Sequence, residues 1–358
     1  MLYLAHLSLL HFKNYDHLQI NLHSGVNVFT GPNGLGKTNL MDAIHYLCMC
    51  KSFLSTDSAN IKRGAPAAMI QGNFLQDETA FEVLCTLRKD QKKVVKLNSE
   101  EYTKLADHVG RFPIVIIAPQ DQMLIYEGSD VRRRFIDSLL SQTDRVYLEK
   151  LMLYNRILQQ RNALLKTGQT AYELYEFYDK QLVDAGQHIY DKRKSFFLMF
   201  KPLFLQHFLS ITQTVESADI QYQTQLDSND MKTLLAQNFE RDLRSAFTNA
   251  GIHKDDILFT INEFPVKRFA SQGQQKSITI ALKLAQFTYI SSHNKPLLIL
   301  DDIYDKLDEH RLTHLMQLMQ NNSFGQVFIT DTHPNRVANI FNKYNTPIQS
   351  FAIDKLKS

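Results

Sequence analysis

The chain has 358 residues, 44% hydrophobic and 22% charged, with a formal net charge of +3. This is ordinary globular composition with apolar mass for two or three domains. It excludes a disordered or fibrous chain and a global basic field, so any nucleic-acid contact must come from local patches. Cys48, Cys50 and Cys85 are too few and wrongly spaced for a zinc site and suit a reduced, cytoplasmic protein, and no apolar run approaches the ~18 residues of a membrane span.

The apolar start MLYLAHLSLLHF lacks a basic head and a cleavage site, so it reads as a first strand rather than a signal peptide. Strands are expected over 4–12, 18–22 and 26–29, with turns at Asn14-Tyr15-Asp16 and Ser24-Gly25. A helix should run from Thr38 to about Cys50, with Leu40, Ile44 and Leu47 on one stripe. After a polar excursion over 51–66, residues 67–75, 80–87 and 93–97 read as antiparallel strands. The apolar run 112–117 reads as a buried strand. The character then changes. Residues 130–166 are helical in pattern, and a second long helix starts at Ala171. The aromatic stretch 196–208 reads as core, with Pro202 as a break or kink. A strand-like piece covers 220–226, and a helix over 229–250 ends at Gly251. Residues 119–250 therefore read as a mostly helical module inserted between 1–118 and 251–358.

Within the first part, Gly31-Pro32-Asn33-Gly34-Leu35-Gly36-Lys37-Thr38 fits the phosphate-binding loop, and it lies between a strand and a helix as that motif requires. Glycines let successive N–H groups turn toward phosphate oxygens, and the helix start adds its positive dipole end. Lys37 can reach the β- and γ-phosphates of a nucleotide, and the Thr38 hydroxyl can hold Mg²⁺. Strand 296–300 ends in Asp301 and Asp302, at the carboxyl end where open α/β sheets bind ligands. Asp301 suits the metal and Asp302 a base that orients water. The two motifs are far apart in sequence, which leaves room for the insertion and argues against a compact switch GTPase. Ser271-Gln272-Gly273-Gln274 opens another helix, with Ser271 as N-cap. It reads as a second phosphate-ready surface, or as a plain capped helix. His333 also follows a strand, where it could touch a γ-phosphate or water.

This order of motifs is similar to the ATP-binding-cassette heads of the SMC class, and most of all to the RecF family of bacterial DNA replication and repair proteins. The likeness runs through Phe12-Lys13-Asn14-Tyr15, GPNGLGKTNLMDAI, Lys51-Ser52-Phe53 and Ala118-Pro119-Gln120-Asp121. It continues through the RRRF segment Arg132-Arg133-Arg134-Phe135 ending at Asp137, then SQGQQK and LLILDDIYDKLD. Lys13, Leu54, Gln120, Ile252 and Lys254 depart from the family pattern. The resemblance implies an α/β fold, an ABC-ATPase head with an inserted helical lobe. It implies ATP and Mg²⁺ as cofactors, weak DNA-stimulated hydrolysis and an ATP-dependent homodimer. In that dimer the Ser271–Gln274 signature would act on the other copy's nucleotide, with Asp308 and His333 responding across the interface. It further implies DNA at gap junctions, partners of the RecR and RecO type, and roles in replication, recombinational repair and the SOS response. Lys62, Arg63, Arg132, Lys192 and Arg193 are the DNA-contact candidates; successive arginines on a helix turn about 100° and cannot all face one partner. A transporter ATPase subunit, an SMC-type DNA clamp and a P-loop kinase remain as alternatives. The first expects a metal strand ending Asp-Glu, the second a long coiled coil, and the third an acceptor site.

Overall fold

The computed structural model describes residues 1–212, 216–302, 324–333, 336–337, 341 and 347–356. In chain order the elements begin with β1 (Leu2–Phe12), β2 (Tyr15–Asn21), β3 (Val26–Thr30) and α1 (Lys37–Met49). Strands β4 (Ala67–Gln76), β5 (Thr79–Arg88), β6 (Val94–Leu97), β7 (Glu100–Glu101) and β8 (Ile114–Ile117) follow. Helices α2 (Met123–Tyr126), α3 (Ser129–Thr143), α4 (Arg145–Lys166) and α5 (Glu173–Thr212) come next, then β9 (Ala218–Gln223) and α6 (Met231–Ser245). The chain continues through β10 (Asp256–Ile261), β11 (Phe264–Pro265), α7 (Val266–Phe269), α8 (Gln272–Ser291), β12 (Leu297–Leu300), β13 (Val327–Asp331) and β14 (Ile348–Ala352).

Two compact units result: residues 1–121, 210–212 and 282–358, and residues 122–209 and 213–281. In the first, a parallel sheet runs β14-β3-β13-β12-β8 and an antiparallel sheet runs β2-β1-β4-β5-β6-β7 among the described residues. In the parallel sheet the central strands β3, β12 and β13 are buried at every position. Helix α1 is buried on all sides as well, from Leu40 to Met49. A helix apolar all round must be covered all round. Leu4, Leu7, Ile70, Phe74 and Val83 of the antiparallel sheet and Ile299 and Phe328 of the parallel one join α1 in one core cluster. Gly72 on β4 permits the approach, since a Cβ there would sit 2.5 Å from Leu47 Cδ1 and 2.9 Å from Leu4 Cδ1. The buried Gln326 links the sheets. Its Oε1 accepts the Leu4 N–H at 2.7 Å, and its Nε2 donates to the Leu4 and His23 carbonyls, both at 2.8 Å.

The second unit packs α3 to α6 with the antiparallel sheet β11-β10-β9. Phe196, Phe197, Phe200, Phe204 and Phe208 are buried, as their company of Leu and Met implied. Two buried arginines tie the helices. Arg161 bonds Asp179 at 2.6 Å, Asp242 at 2.8 Å and Thr248 at 2.9 Å. Arg193 bonds Asp255 at 2.7 Å, Asp137 at 2.8 Å and the Ile252 carbonyl at 2.9 Å.

Several expectations are corrected. The helical pattern over 130–166 is two helices, because Asp144 leaves helical geometry and its carboxylate caps α4 through the Tyr147 N–H at 2.9 Å. Pro202 does not break α5. The carbonyl it cannot engage belongs to Leu198, and both residues are exposed, so water can satisfy that group. Helix α6 ends at Ser245, before Gly251, because Asp242 takes the Asn249 N–H at 2.8 Å and pulls the chain out of the helix. Strands β10 and β14 were not anticipated. The second unit also reaches to 281, beyond the expected boundary at 250. The reason is that β10 pairs with β9 and Arg132 grips Asp256.

Arg161→Met should lower the stability of the second unit by about 3–5 kcal/mol, because it strands two buried aspartates. Urea unfolding followed by a probe in α4 or α5 reads this; an unchanged midpoint would show that the network contributes nothing.

Candidate nucleotide-binding site

The expected loop leaves β3 and enters α1 with Gly31, Gly34 and Gly36 at φ of 149°, 84° and 98°, conformations that L side chains resist. Gly36 is doubly constrained, since a Cβ would lie 2.4 Å from Asn14 Nδ2. Asn14 braces the loop by donating to the Leu35 carbonyl at 3.1 Å and accepting from Asn39 at 2.8 Å. Tyr15 Oη adds a bond to the Gly36 carbonyl at 3.0 Å. Lys37 Nζ lies inside the loop and donates to the Gly31 and Pro32 carbonyls at 2.6 and 3.2 Å and to Asn33 Oδ1 at 3.4 Å.

The adjacent strand ends bring the acids to this loop. Asp301 Oδ1 accepts the Thr330 hydroxyl at 2.8 Å and the Thr38 hydroxyl at 3.3 Å. Burial holds the Asp301 carboxyl above the usual carboxylate range, against the pull of those hydroxyls, and the Asp302 charge adds to the rise. Asp302 itself has φ 50°, and its N–H donates to Thr330 Oγ1 at 2.8 Å, which turns the chain sharply at the strand end. Asp331 closes β13; its carbonyl accepts the Gly31 N–H at 3.3 Å and its carboxylate the His333 N–H at 3.0 Å. His333 is exposed beside these groups. Lys37, Thr38, Asp301, Asp302 and His333 thus lie on the carboxyl ends of β3, β12 and β13. Thr38 and Asp301 offer oxygen donors 3.3 Å apart, a donor set suited to a hard cation such as Mg²⁺. Asp308 lies outside the described residues.

Behind the loop, Asp42 on α1 is fully buried and pairs with Lys13 Nζ at 2.5 Å. It also accepts the Ser52 hydroxyl at 2.7 Å and the Phe53 N–H at 2.9 Å. The Lys51-Ser52-Phe53 segment is thereby pinned to the same helix. His45 beside it is pushed down to about 4 by burial, so it is neutral at pH 7.

In the second unit, Ser271 and Gln274 form a reciprocal capping box at the start of α8. The Ser271 hydroxyl accepts the Gln274 N–H at 3.2 Å, and Gln274 Oε1 accepts the Ser271 N–H at 2.6 Å. Ser271 and Gln272 are exposed. Gln274 Nε2 also donates to Glu216 at 2.8 Å, and Tyr126 donates to Gln275.

The basic candidates divide. Arg132 is buried and committed within the unit: its Nε and Nη2 clamp Asp256 at 2.6 and 2.9 Å, and its Nη1 donates to the Leu124 and Glu127 carbonyls. Arg193 is likewise consumed inside the unit. Both are corrected from DNA-contact candidates to structural ion pairs. Lys62 pairs with Asp16 and Lys192 with Asp144, each at the surface, while Arg63 is exposed. Sequence reasoning missed Asn14, Thr330 and Asp331 as parts of the site. Thr330 and Asp331 were legible only as the end of an apolar strand; nothing in the sequence set that strand beside Asp301.

Asp301→Asn should stabilise the first unit at pH 7 without nucleotide. A carboxyl whose folded pKa is raised favours folding below its unfolded value, near pH 4, and loses that contribution as pH rises through the folded pKa. Denaturant unfolding at pH 7 and pH 4 tests this; the gain should vanish at the lower pH, and no gain at pH 7 would contradict it.

The family model described as the RecF/RecN/SMC N-terminal domain matches residues 3–351. A "DNA replication and repair protein RecF" from Flavobacterium johnsoniae is 42% identical over 94% of this chain and 95% of its own length. One from Parabacteroides distasonis is 40% identical over 98% and 97%. A solved structure described as the recombination mediator protein RecF with ATP in the RecFOR pathway superposes with TM-score 0.86, at 28% identity and covering 94% of this chain and 95% of that one. An SMC head from Pyrococcus furiosus, at 16% identity and TM-score 0.55, shares the fold. With its phosphate loop, acid-tipped strand and capped SQGQQK helix, the chain belongs to the RecF family of DNA replication and repair proteins.

Proposed function

We propose that this protein is an ATP-dependent DNA-binding repair protein that dimerises on binding ATP and acts at junctions of single- and double-stranded DNA. The observation that carries the reading is the cluster of Lys37, Thr38, Asp301, Asp302 and Thr330 at the ends of adjacent parallel strands, on a chain of this family. The first unit serves as the ATP-binding head, and the helical unit, which carries the signature at the start of α8, as an arm.

In the mechanism, the loop N–H groups and Lys37 bind the β- and γ-phosphates. Lys37 must leave its three loop oxygens to do so, exchanging neutral acceptors for charged ones. Thr38 and Asp301 would hold Mg²⁺, which supplies neutralisation of phosphate charge. Asp302 orients a water in line with the γ-phosphate and takes its proton. Thr330 steadies both acids, since it donates to the Asp301 carboxylate and accepts the Asp302 N–H. The Ser271–Gln274 cap of a second copy completes the γ-phosphate cradle, and His333 and Asp308 respond to that phosphate across the interface. Hydrolysis removes the bridging charge and opens the dimer, so slow turnover acts as a release timer. Arg63, which is exposed, and the half-buried, ion-paired Lys62 and Lys192 remain as DNA-contact candidates, and RecR- and RecO-type mediators are the expected protein partners in recombinase loading and the SOS response.

Lys37→Ala should abolish dimerisation with ATP and Mg²⁺, read as solution mass by light scattering. Asp302→Asn should bind ATP normally, slow hydrolysis by about 100-fold or more, and hold the dimer closed. Normal hydrolysis by the Asp302 variant would overturn its assignment as base; a monomer under all conditions would overturn the shared site.

A further inference from the structure

The hairpin and short helix before the signature form a surface that the nucleotide chemistry does not use. Strand β10 turns into β11 through Asn262 and Glu263, whose φ values of 48° and 69° match the tight two-residue turns favoured in hairpins. The turn is anchored: the Asn262 N–H donates to the Ser217 carbonyl at 2.7 Å, and Asn262 Oδ1 accepts the Ser217 N–H at 3.1 Å. Val266 is buried and pins α7 beneath. On this rigid base Phe264 and Phe269 stand 58% and 62% exposed, with ring centroids 5.3 Å apart and planes at 52°. Lys267 and Arg268 lie between them in sequence and are also exposed.

These cations differ from several others of the same unit. Arg134, Lys192, Lys194 and Lys201 each pair with an aspartate. Among the described residues, Lys267 and Arg268 make no ion pair, and Glu263 at the turn is the sole acid in segment 261–270. Two open aromatic faces beside two available cations meet both requirements of a single-stranded nucleic acid. Rings stack on bases without sequence preference, and the cations take the phosphates. A duplex keeps its base faces inside its own stack, so such a platform selects the unpaired strand.

We propose that Phe264 and Phe269, flanked by Lys267 and Arg268, form a stacking platform for unpaired bases of a DNA strand. The proposal rests on the reading above and deepens it by stating how the single-stranded side of a junction is recognised.

The test is fluorescence anisotropy with ATP and Mg²⁺, using a labelled oligothymidylate and a blunt duplex as probes. Solution mass and thermal unfolding are measured on the same samples. F264A/F269A should weaken single-strand binding at least about fivefold while duplex binding, dimerisation and unfolding stay unchanged. F264W/F269W should keep single-strand affinity. K267A/R268A should flatten the log–log salt dependence by about 1.4, the slope expected for two phosphates on a single strand. Wild-type single-strand affinity in F264A/F269A would overturn the proposal, as would a tryptophan pair as weak as the alanine pair. Loss of ATP-dependent dimerisation in F264A/F269A would overturn it too, by showing that the rings pack against a second copy. If the wild-type protein bound neither DNA, the functional reading itself would fall, and this inference with it.

Discussion

The burial of α1 is the constraint on which the rest of the first unit depends. The helix that begins at the phosphate loop presents almost no exposed face, so a single sheet cannot cover it. The parallel sheet covers one side and the antiparallel sheet the other, with Gly72 clearing the space for close approach. This fixes α1 rigidly, and with α1 the direction of the Lys37 and Thr38 side chains. The price is a buried carboxylate, Asp42, which Lys13, Ser52 and Phe53 satisfy together. Lys13 thus spends its charge on Asp42.

Charge placement separates structure from recognition throughout the molecule. Arg132, Arg161 and Arg193 sit in buried, multiply bonded ion pairs, and each has an aspartate partner. Removing a partner from such a pair is costly because the remaining ion is left dry. These arginines stabilise the second unit and cannot also serve a ligand. Asp301 is the opposite case: it is buried with hydroxyls for company and its pKa is raised, so its ionised form is held at a cost that a cation would relieve.

Much of this was legible in the sequence because it is local. A glycine loop between a strand and a helix, an apolar strand tipped with acids, and a serine at a helix start each carry their own geometry. The structure places them where that geometry implied. What escaped was either a side-chain cap that periodicity does not register or a partner far away in the chain. Asp144 ends a helix that periodicity alone would continue, and Asp242 draws Asn249 out of another. The RRRF arginines look alike in sequence, yet Arg132 is buried and Arg134 is exposed, because only Arg132 faces Asp256. Thr330 gave no signal, since a threonine ending a β-strand is unremarkable until Asp301 is placed beside it.

Gln326 shows how narrowly a buried contact can discriminate. Its amide nitrogen feeds two carbonyl oxygens and its oxygen takes one N–H, so each strand it joins contributes a group of the right polarity. Glutamate has the same length and nearly the same shape. It would set an oxygen against the Leu4 and His23 carbonyls, where no proton is available at neutral pH, and leave a charge in the core. Hydrolysis of this one side-chain amide, the slow chemistry by which glutamine ages into glutamate, would therefore unlatch the two sheets without moving an atom by more than a bond's width. Gln326 is fully buried, so the seam holds that amide away from bulk water.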